Sequence, residues 1–208
     1  MELITRQGMR PAGFLRKKFF HRADISALKR ILPVKGLSNH MRKGGGCVTE
    51  EQFTEAVQSC GDALYRIAFG WCKNRADAED VTQSVFLKLL RSDKAFESEA
   101  HRRNWLIRVT VNECKKLMMS PWRCRCENLE DYAQRLYADE PEDGDLFLAV
   151  MSLPQKERVT VHLYYYEGYS VREIGELLHV NESTIQSRLA SARKKLKSKL
   201  KEAWNSDE

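Results

Sequence analysis

Much that would mark an enzyme or a membrane protein is missing from this sequence. No apolar run approaches the roughly 18 residues that a membrane-spanning helix requires. The first apolar clusters are short and interrupted by arginine and lysine, unlike a secretory signal. There is no glycine-rich phosphate loop, no HExxH and no CxxC pair, and the five histidines, His21, His40, His101, His162 and His179, are scattered. No metal, cofactor or small-molecule substrate is therefore expected, and the chain does not read as an enzyme. Cysteines stand at 47, 60, 72, 114, 124 and 126, and Cys124 and Cys126 form a CxC too close for the paired knuckles of a zinc site. They read as free thiols, which places the chain in a reducing cytoplasm.

What is present is a globular composition: of 208 residues, 42% are hydrophobic and 31% charged. The net charge of +6 is unevenly spread. Residues 1–47 carry 11 basic and 2 acidic side chains, whereas residues 48–208 carry 24 basic and 27 acidic ones. The basic balance belongs to the N-terminal tail, so affinity for nucleic acid has to come from local patches.

Periodicity divides the chain into a basic, poorly patterned extension (1–47), a helical region (48–120), an acidic loop-like stretch (121–144) and a second helical region (145–204). Thr49-Glu50-Glu51-Gln52 is a capping box. After it, Phe53, Ala56, Val57, Cys60, Leu64, Ile67, Ala68 and Trp71 recur at three and four, as one apolar stripe. Asn74 interrupts the stripe. A second helix is expected from about Asp77, with Asp77, Glu79 and Asp80 in its first turn, where the macrodipole favours acids. Its inner face would be Val81, Val85, Phe86, Leu89 and Leu90. Residues 91–103 look polar and broken, and a third helix would turn Trp105, Leu106, Val109 and Leu117 inward, so Trp105 reads as core. No alternating strand pattern appears in this region.

Between Glu127 and Asp145 lie eight acidic residues and one basic one, with Pro141 and Gly144, which reads as a tether holding at most a short helix around 129–136. Leu146, Phe147, Val150 and Met151 then form a short amphipathic helix. Pro154 opens another, carried by Val159, Leu163 and Tyr166 to Gly168. Ser170-Val171-Arg172-Glu173 and Ser183-Thr184-Ile185-Gln186 both match the capping box, thirteen residues apart. They bracket a short helix, a four-residue turn and a longer helix, the helix-turn-helix plan. Val171, Ile174 and Leu178 would face inward, with Val180 in the turn and Ile185 and Leu189 anchoring the second helix. Gly175 would sit where the helices cross, and His179 where a left-handed residue is needed. Thr184, Gln186, Ser187, Arg188 and Ser191 carry the hydrogen-bonding groups that read base edges. From Arg188 to Lys201 run seven basic residues and no acidic one, among them Arg193, Lys194 and Lys195, suited to phosphates. The expected fold class is all-α: two small helical domains joined by a flexible acidic linker, the C-terminal one containing the helix-turn-helix.

Two blocks of this sequence resemble bacterial RNA polymerase sigma factors. Asp77-Ala-Glu-Asp-Val-Thr-Gln-Ser-Val-Phe-Leu-Lys-Leu-Leu90 is similar to the helix with which they bind core polymerase. Leu153-Pro-Gln-Lys-Glu-Arg158, Tyr165-Tyr-Glu-Gly-Tyr-Ser170 and Ser183-Thr-Ile-Gln-Ser-Arg-Leu189 resemble their promoter-reading domain. With only these two domains, covering about 50–203, the chain is similar to the small extracytoplasmic-function (ECF) group. The resemblance implies sigma region 2 over 48–120 and sigma region 4 over 145–204. It implies core RNA polymerase, double-stranded promoter DNA, the melted minus-ten strand and an anti-sigma factor as partners. Asp77, Glu79, Asp80 and Gln83 would dock on core polymerase, with Ser84 standing where the family usually has a further acid. Arg102, Arg103, Asn104, Arg108, Asn112, Lys115 and Lys116 would recognise and melt the minus-ten element. Thr184, Gln186, Ser187, Arg188, Ser191, Arg193, Lys194 and Lys195 would read the minus-thirty-five element, although Gln186 and Ser191 stand where many members carry basic residues. The rival expectation is a helix-turn-helix regulator that binds operator DNA without polymerase.

The extension 1–47 has no counterpart in this resemblance. It reads as an amphipathic surface helix, a disordered basic arm or a segment not natively translated. The third reading is favoured by Lys43-Gly44-Gly45-Gly46, the translation of an in-frame purine-rich ribosome-binding sequence, shortly before Val48, which an alternative start codon can encode.

Overall fold

The computed structural model describes residues 48–119 and 141–205, and the side chains among them except those of 141–143 and 201–205. The extension 1–47, most of the acidic stretch, and Cys47, Cys124, Cys126, His21, His40 and Lys201 lie outside the described residues or side chains. What is described falls into two units, 48–119 and 141–205, and every element in them is helical.

In the first unit, α1 (Glu50–Cys72), α2 (Arg75–Leu90) and α3 (Glu99–Met118) pack on one another. The Thr49 capping box forms as expected: the Gln52 N–H donates to Thr49 Oγ1 (3.2 Å) and the Thr49 N–H to Gln52 Oε1 (3.1 Å). Every residue of the expected α1 stripe is buried. The chain then reverses at Lys73, which is left-handed (φ 53°). Asn74 turns out to be a start rather than a break: its side chain accepts the Asp77 N–H at 3.0 Å, so α2 begins two residues early. Asp77 therefore stays in the first turn, while Glu79 and Asp80 move beyond it. Val85, Phe86 and Leu89 are fully buried, Leu90 only half, and Phe86 meets Phe53 of α1 edge to face at 6.0 Å.

Ser98 caps α3 by accepting the His101 N–H (3.1 Å), so the end of the stretch that looked broken, 99–103, is helix. This shifts the inward face by one position. Leu106, Ile107, Thr110, Val111 and Cys114 are buried, whereas Trp105, Val109 and Leu117 are only half-buried. A polar residue the pattern discounted, Thr110, goes inside because its hydroxyl donates to the Leu106 carbonyl at 2.9 Å, as Thr82 does to Ala78 at 2.7 Å. Cys60, Cys72 and Cys114 are buried free thiols. The neighbouring Cys72 thiol, with burial, pushes the Cys114 thiol well above its ordinary range, so it stays protonated.

The second unit contains α4 (Pro141–Met151), α5 (Gln155–Val161), a π-helical turn (His162–Tyr166), α6 (Val171–Leu178) and α7 (Glu182–Asn205). Helix α4 begins inside the stretch expected to be a tether, with Pro141 at its first helical position. Buried Arg158 ties α5 to α4: its Nη1 donates to the carbonyls of Met151 (2.7 Å) and Leu153 (2.8 Å), which the helix end leaves without partners. The Ser170 capping box forms, and His179 is left-handed (φ 57°) as expected. Leu177, not Leu178, fills the inner face of α6 with Ile174. What approaches Gly175 is the turn rather than a crossing helix: a Cβ there would lie 2.7 Å from the Val180 carbonyl oxygen. The second expected capping box is absent. The Ile185 N–H donates to the Asn181 carbonyl (3.2 Å), which starts α7 at Glu182 and places Ser183 within its first turn. Ile185, Leu189 and Ala192 anchor α7 in the core.

Candidate nucleic-acid interface

On α2, Asp80, Gln83 and Leu87 follow one another at helical spacing on the side away from the core. Glu79 pairs with Arg75 at 3.8 Å, and Asp77 lies in the first turn, its main-chain N–H capped by Asn74. The exposed face therefore centres on Asp80 and Gln83, with Leu87 beside them at 41% exposure. Leu87 is not among the expected contacts, since charge does not mark it. Its position seven residues from Asp80 carries the signal.

On α3, Asn104, Arg108, Asn112 and Lys115 share the outward face. Arg103, two and a half turns before Asn112, lies on the opposite side. Lys116 is drawn to Glu113 (3.0 Å), which also pairs with Lys88 of α2. Burial tends to raise the Glu113 carboxyl, but hydrogen bonds and charge from Lys88 and Lys116 outweigh it and hold the group below the usual glutamate range. Arg102 is 6% exposed and its Nη2 donates to Glu55 Oε2 of α1 at 2.7 Å, an anchor more than a surface cation.

Trp105 also departs from expectation. It is half-buried on the outward side, with Phe96 edge-on at 5.5 Å and the Lys94 ammonium 6.0 Å from its ring centre. Phe96 meets His101 in the same manner at 5.7 Å. Beside this cluster opens a cavity of about 340 Å³, walled by Gln52 and Glu55 of α1, Lys94 and Phe96 of the connecting loop, and Ser98 and Arg102 of α3. The buried Arg102 Nε, in its wall, has no hydrogen-bond partner among the described residues. An aromatic edge, mixed donors and acceptors and this volume suit a planar heteroaromatic ring.

In the second unit the eight candidates on α7 separate into faces. Thr184, Arg188, Ser191 and Lys195 form one flank. Gln186 and Arg193 form the other, and Ser187 and Lys194 lie on the outward line between them. Arg193 Nε donates to the Tyr165 hydroxyl at 2.8 Å, and its guanidinium lies 5.9 Å from that ring. Ser191 and Lys195 both bond Glu157 of α5, at 3.1 and 2.7 Å. Ser187 donates to the Ser183 carbonyl at 2.8 Å. Among the described residues, nothing pairs with Arg188 or Lys194. Tyr165 and Glu157 were not candidates, since contacts 28 and 38 residues apart leave no local trace.

Among the described residues there is no cluster of metal-ligating side chains, and no helix is long and apolar enough to cross a membrane.

Comparison with known proteins agrees with this layout. The family model for sigma-70 region 2 matches residues 56–124, and that for sigma-70 region 4 matches 144–196. The chain is 34% identical over 153 residues to the ECF RNA polymerase sigma factor SigE of Mycolicibacterium smegmatis, covering 69% of this chain and 59% of that protein. It is 31% identical over 137 residues to SigM of Mycobacterium tuberculosis, covering 64% of this chain and 69% of that one. The sigma factor RpoE of Bartonella quintana, solved with the anti-sigma factor NepR, shares the fold with a TM-score of 0.56 at 20% identity, over 73% of this chain and 98% of that one. With region 2 and region 4 falling in order on the two helical units, the chain belongs to the extracytoplasmic-function RNA polymerase sigma factors.

Proposed function

We propose that this chain joins core RNA polymerase in the cytoplasm and directs initiation at a restricted set of promoters, acting as a specificity factor and not as an enzyme. Residues 48–120 form the domain that docks on polymerase through Asp80, Gln83 and Leu87, with Asp77 and Glu79 at the margin. The same domain opens the minus-ten element. Asn104, Arg108, Asn112 and Lys115 track the strand, and an unstacked base enters the cavity beside Phe96 and Trp105, recovering stacking lost on melting. Residues 145–204 read the minus-thirty-five element through Gln186, Ser187 and Arg188, with Lys194 on phosphate. The acidic stretch between links the two. An anti-sigma factor, such as the one bound to the Bartonella quintana neighbour, is the expected antagonist.

The observation that carries this reading is α7. The Ser170 capping box starts α6, and the left-handed His179 and close-packed Gly175 set the turn into α7, which still presents Arg188 and Lys194 without partners among the described residues. Transcription with purified core enzyme on a promoter library tests it. Start-site selection should appear when the chain is added, and Arg188→Ala should lose about 1–3 kcal/mol of discrimination at one base pair. Failure to co-migrate with core enzyme, or tight DNA binding without it, would sink the reading in favour of a stand-alone regulator.

A further inference from the structure

The second unit buries a carboxylate against the helix it presents to DNA. Glu157 sits in the first turn of α5, its side chain 13% exposed. Its Oε1 takes the Ser191 hydroxyl at 3.1 Å and the Lys195 ammonium at 2.7 Å, while its Oε2 is buried without a hydrogen-bond partner. An ionised carboxylate only accepts, so the Ser191 proton points at Glu157 and away from any phosphate. The Lys195 ammonium is likewise engaged by the carboxylate. On the other flank, Arg193 is held by Tyr165.

We infer that Glu157 is a positioning residue for promoter reading: it turns Ser191 and Lys195 from phosphate ligands into an internal strut that holds α7 against α5, leaving Arg188 to read a base and Lys194 to grip the backbone. The inference rests on α7 being the DNA-reading helix. It divides a basic run that looks uniform in sequence into cations that hold the fold and cations that meet DNA.

Salt dependence separates the two groups, since each phosphate-bound cation adds about 0.9 to the slope of log affinity against log salt. Holoenzyme reconstituted from the full chain would be titrated onto a promoter duplex selected in the transcription assay. Glu157→Gln should free the ammonium and steepen the slope by about 0.9. Glu157→Asp, which keeps the charge, should restore the original slope, as no packing defect would. In a Lys195→Ala background, Glu157→Gln should change nothing. Lys194→Ala should flatten the slope by about 0.9. Because Lys195→Ala leaves Glu157 in place, it guards against a Glu157 variant that does not fold, and its slope should match that of the unaltered protein. A Lys195→Ala slope as flat as that of Lys194→Ala overturns the inference, as does a Glu157→Gln effect that persists without Lys195. Binding indifferent to the minus-thirty-five element, with no response to Lys194→Ala or Arg188→Ala, overturns instead the reading of α7 and takes the inference with it.

Discussion

The two units contain arginines that are equally hidden and differently used. Arg102, in the 48–119 unit, reaches one carboxylate, Glu55, whose own side chain is 58% exposed. Arg158, in the 141–205 unit, is bonded to two main-chain carbonyls at the end of a helix. The contrast extends to the units themselves. Helix α1 alone buries thirteen residues along 23, so apolar area supplies the cohesion there. In the second unit α5 and α6 are only seven and eight residues long, too short to stand alone. They are held by devices acting on the backbone: Arg158, the capping box, the left-handed His179 and the Gly175 approach. A surface built on long helices is tuned by exchanging side chains. One built on short helices depends on the joints between them.

Five substitutions probe that contrast, from the largest effect down. Phe86→Ala removes a fully buried ring from the face packed on Phe53 and should destabilise the first unit by about 3–5 kcal/mol in denaturant titration. A loss below 1 kcal/mol would show that area is not what holds this unit. Arg158→Met should cost about 2–3 kcal/mol because it strands two buried carbonyls, whereas Arg102→Met should cost no more than about 1 kcal/mol, leaving Glu55 to water. Equal losses would erase the distinction between the arginines. His179→Gly and Lys73→Gly each relieve a left-handed backbone and should stabilise by about 0.5–1 kcal/mol, read as a higher melting temperature. A gain at one position only would mean that the joints are strained unequally.

The smallest effect concerns Glu113. Its folded pKa is lowered, so its stabilising contribution is complete above the unfolded glutamate pKa of about 4.3 and is lost as pH falls through the folded value. The stability gap between the protein and Glu113→Gln should thus stay level at neutral pH and close only in acid. A gap that widens in acid would contradict the Lys88 and Lys116 pairing.

Most of the helices were legible because their signals are local. The Thr49 and Ser170 boxes form, the α1 stripe is buried, and His179 adopts the conformation its place required. The misjudged features lie at helix starts. The side chains of Asn74 and Ser98 cap helices earlier than expected, and the Asn181 carbonyl starts α7 one residue before Ser183. The one-position rotation of α3 follows from Thr110, whose hydroxyl bonds its own helix and so loses its need for water.

The sequence by itself determined the all-helical class, the two patterned blocks, the helix-turn-helix and the family to which they belong, because spacing and capping act over three or four residues. Tertiary structure alone decided which cations are free. Lys195 and Arg193 stand in the same basic run as Lys194, yet carboxylate and hydroxyl partners from 28 to 38 residues away hold the first two. It also decided that Arg102 is an anchor and that Trp105 stands half-buried against Phe96. Distance along a chain gives no measure of distance through a fold, and charge acts through the fold.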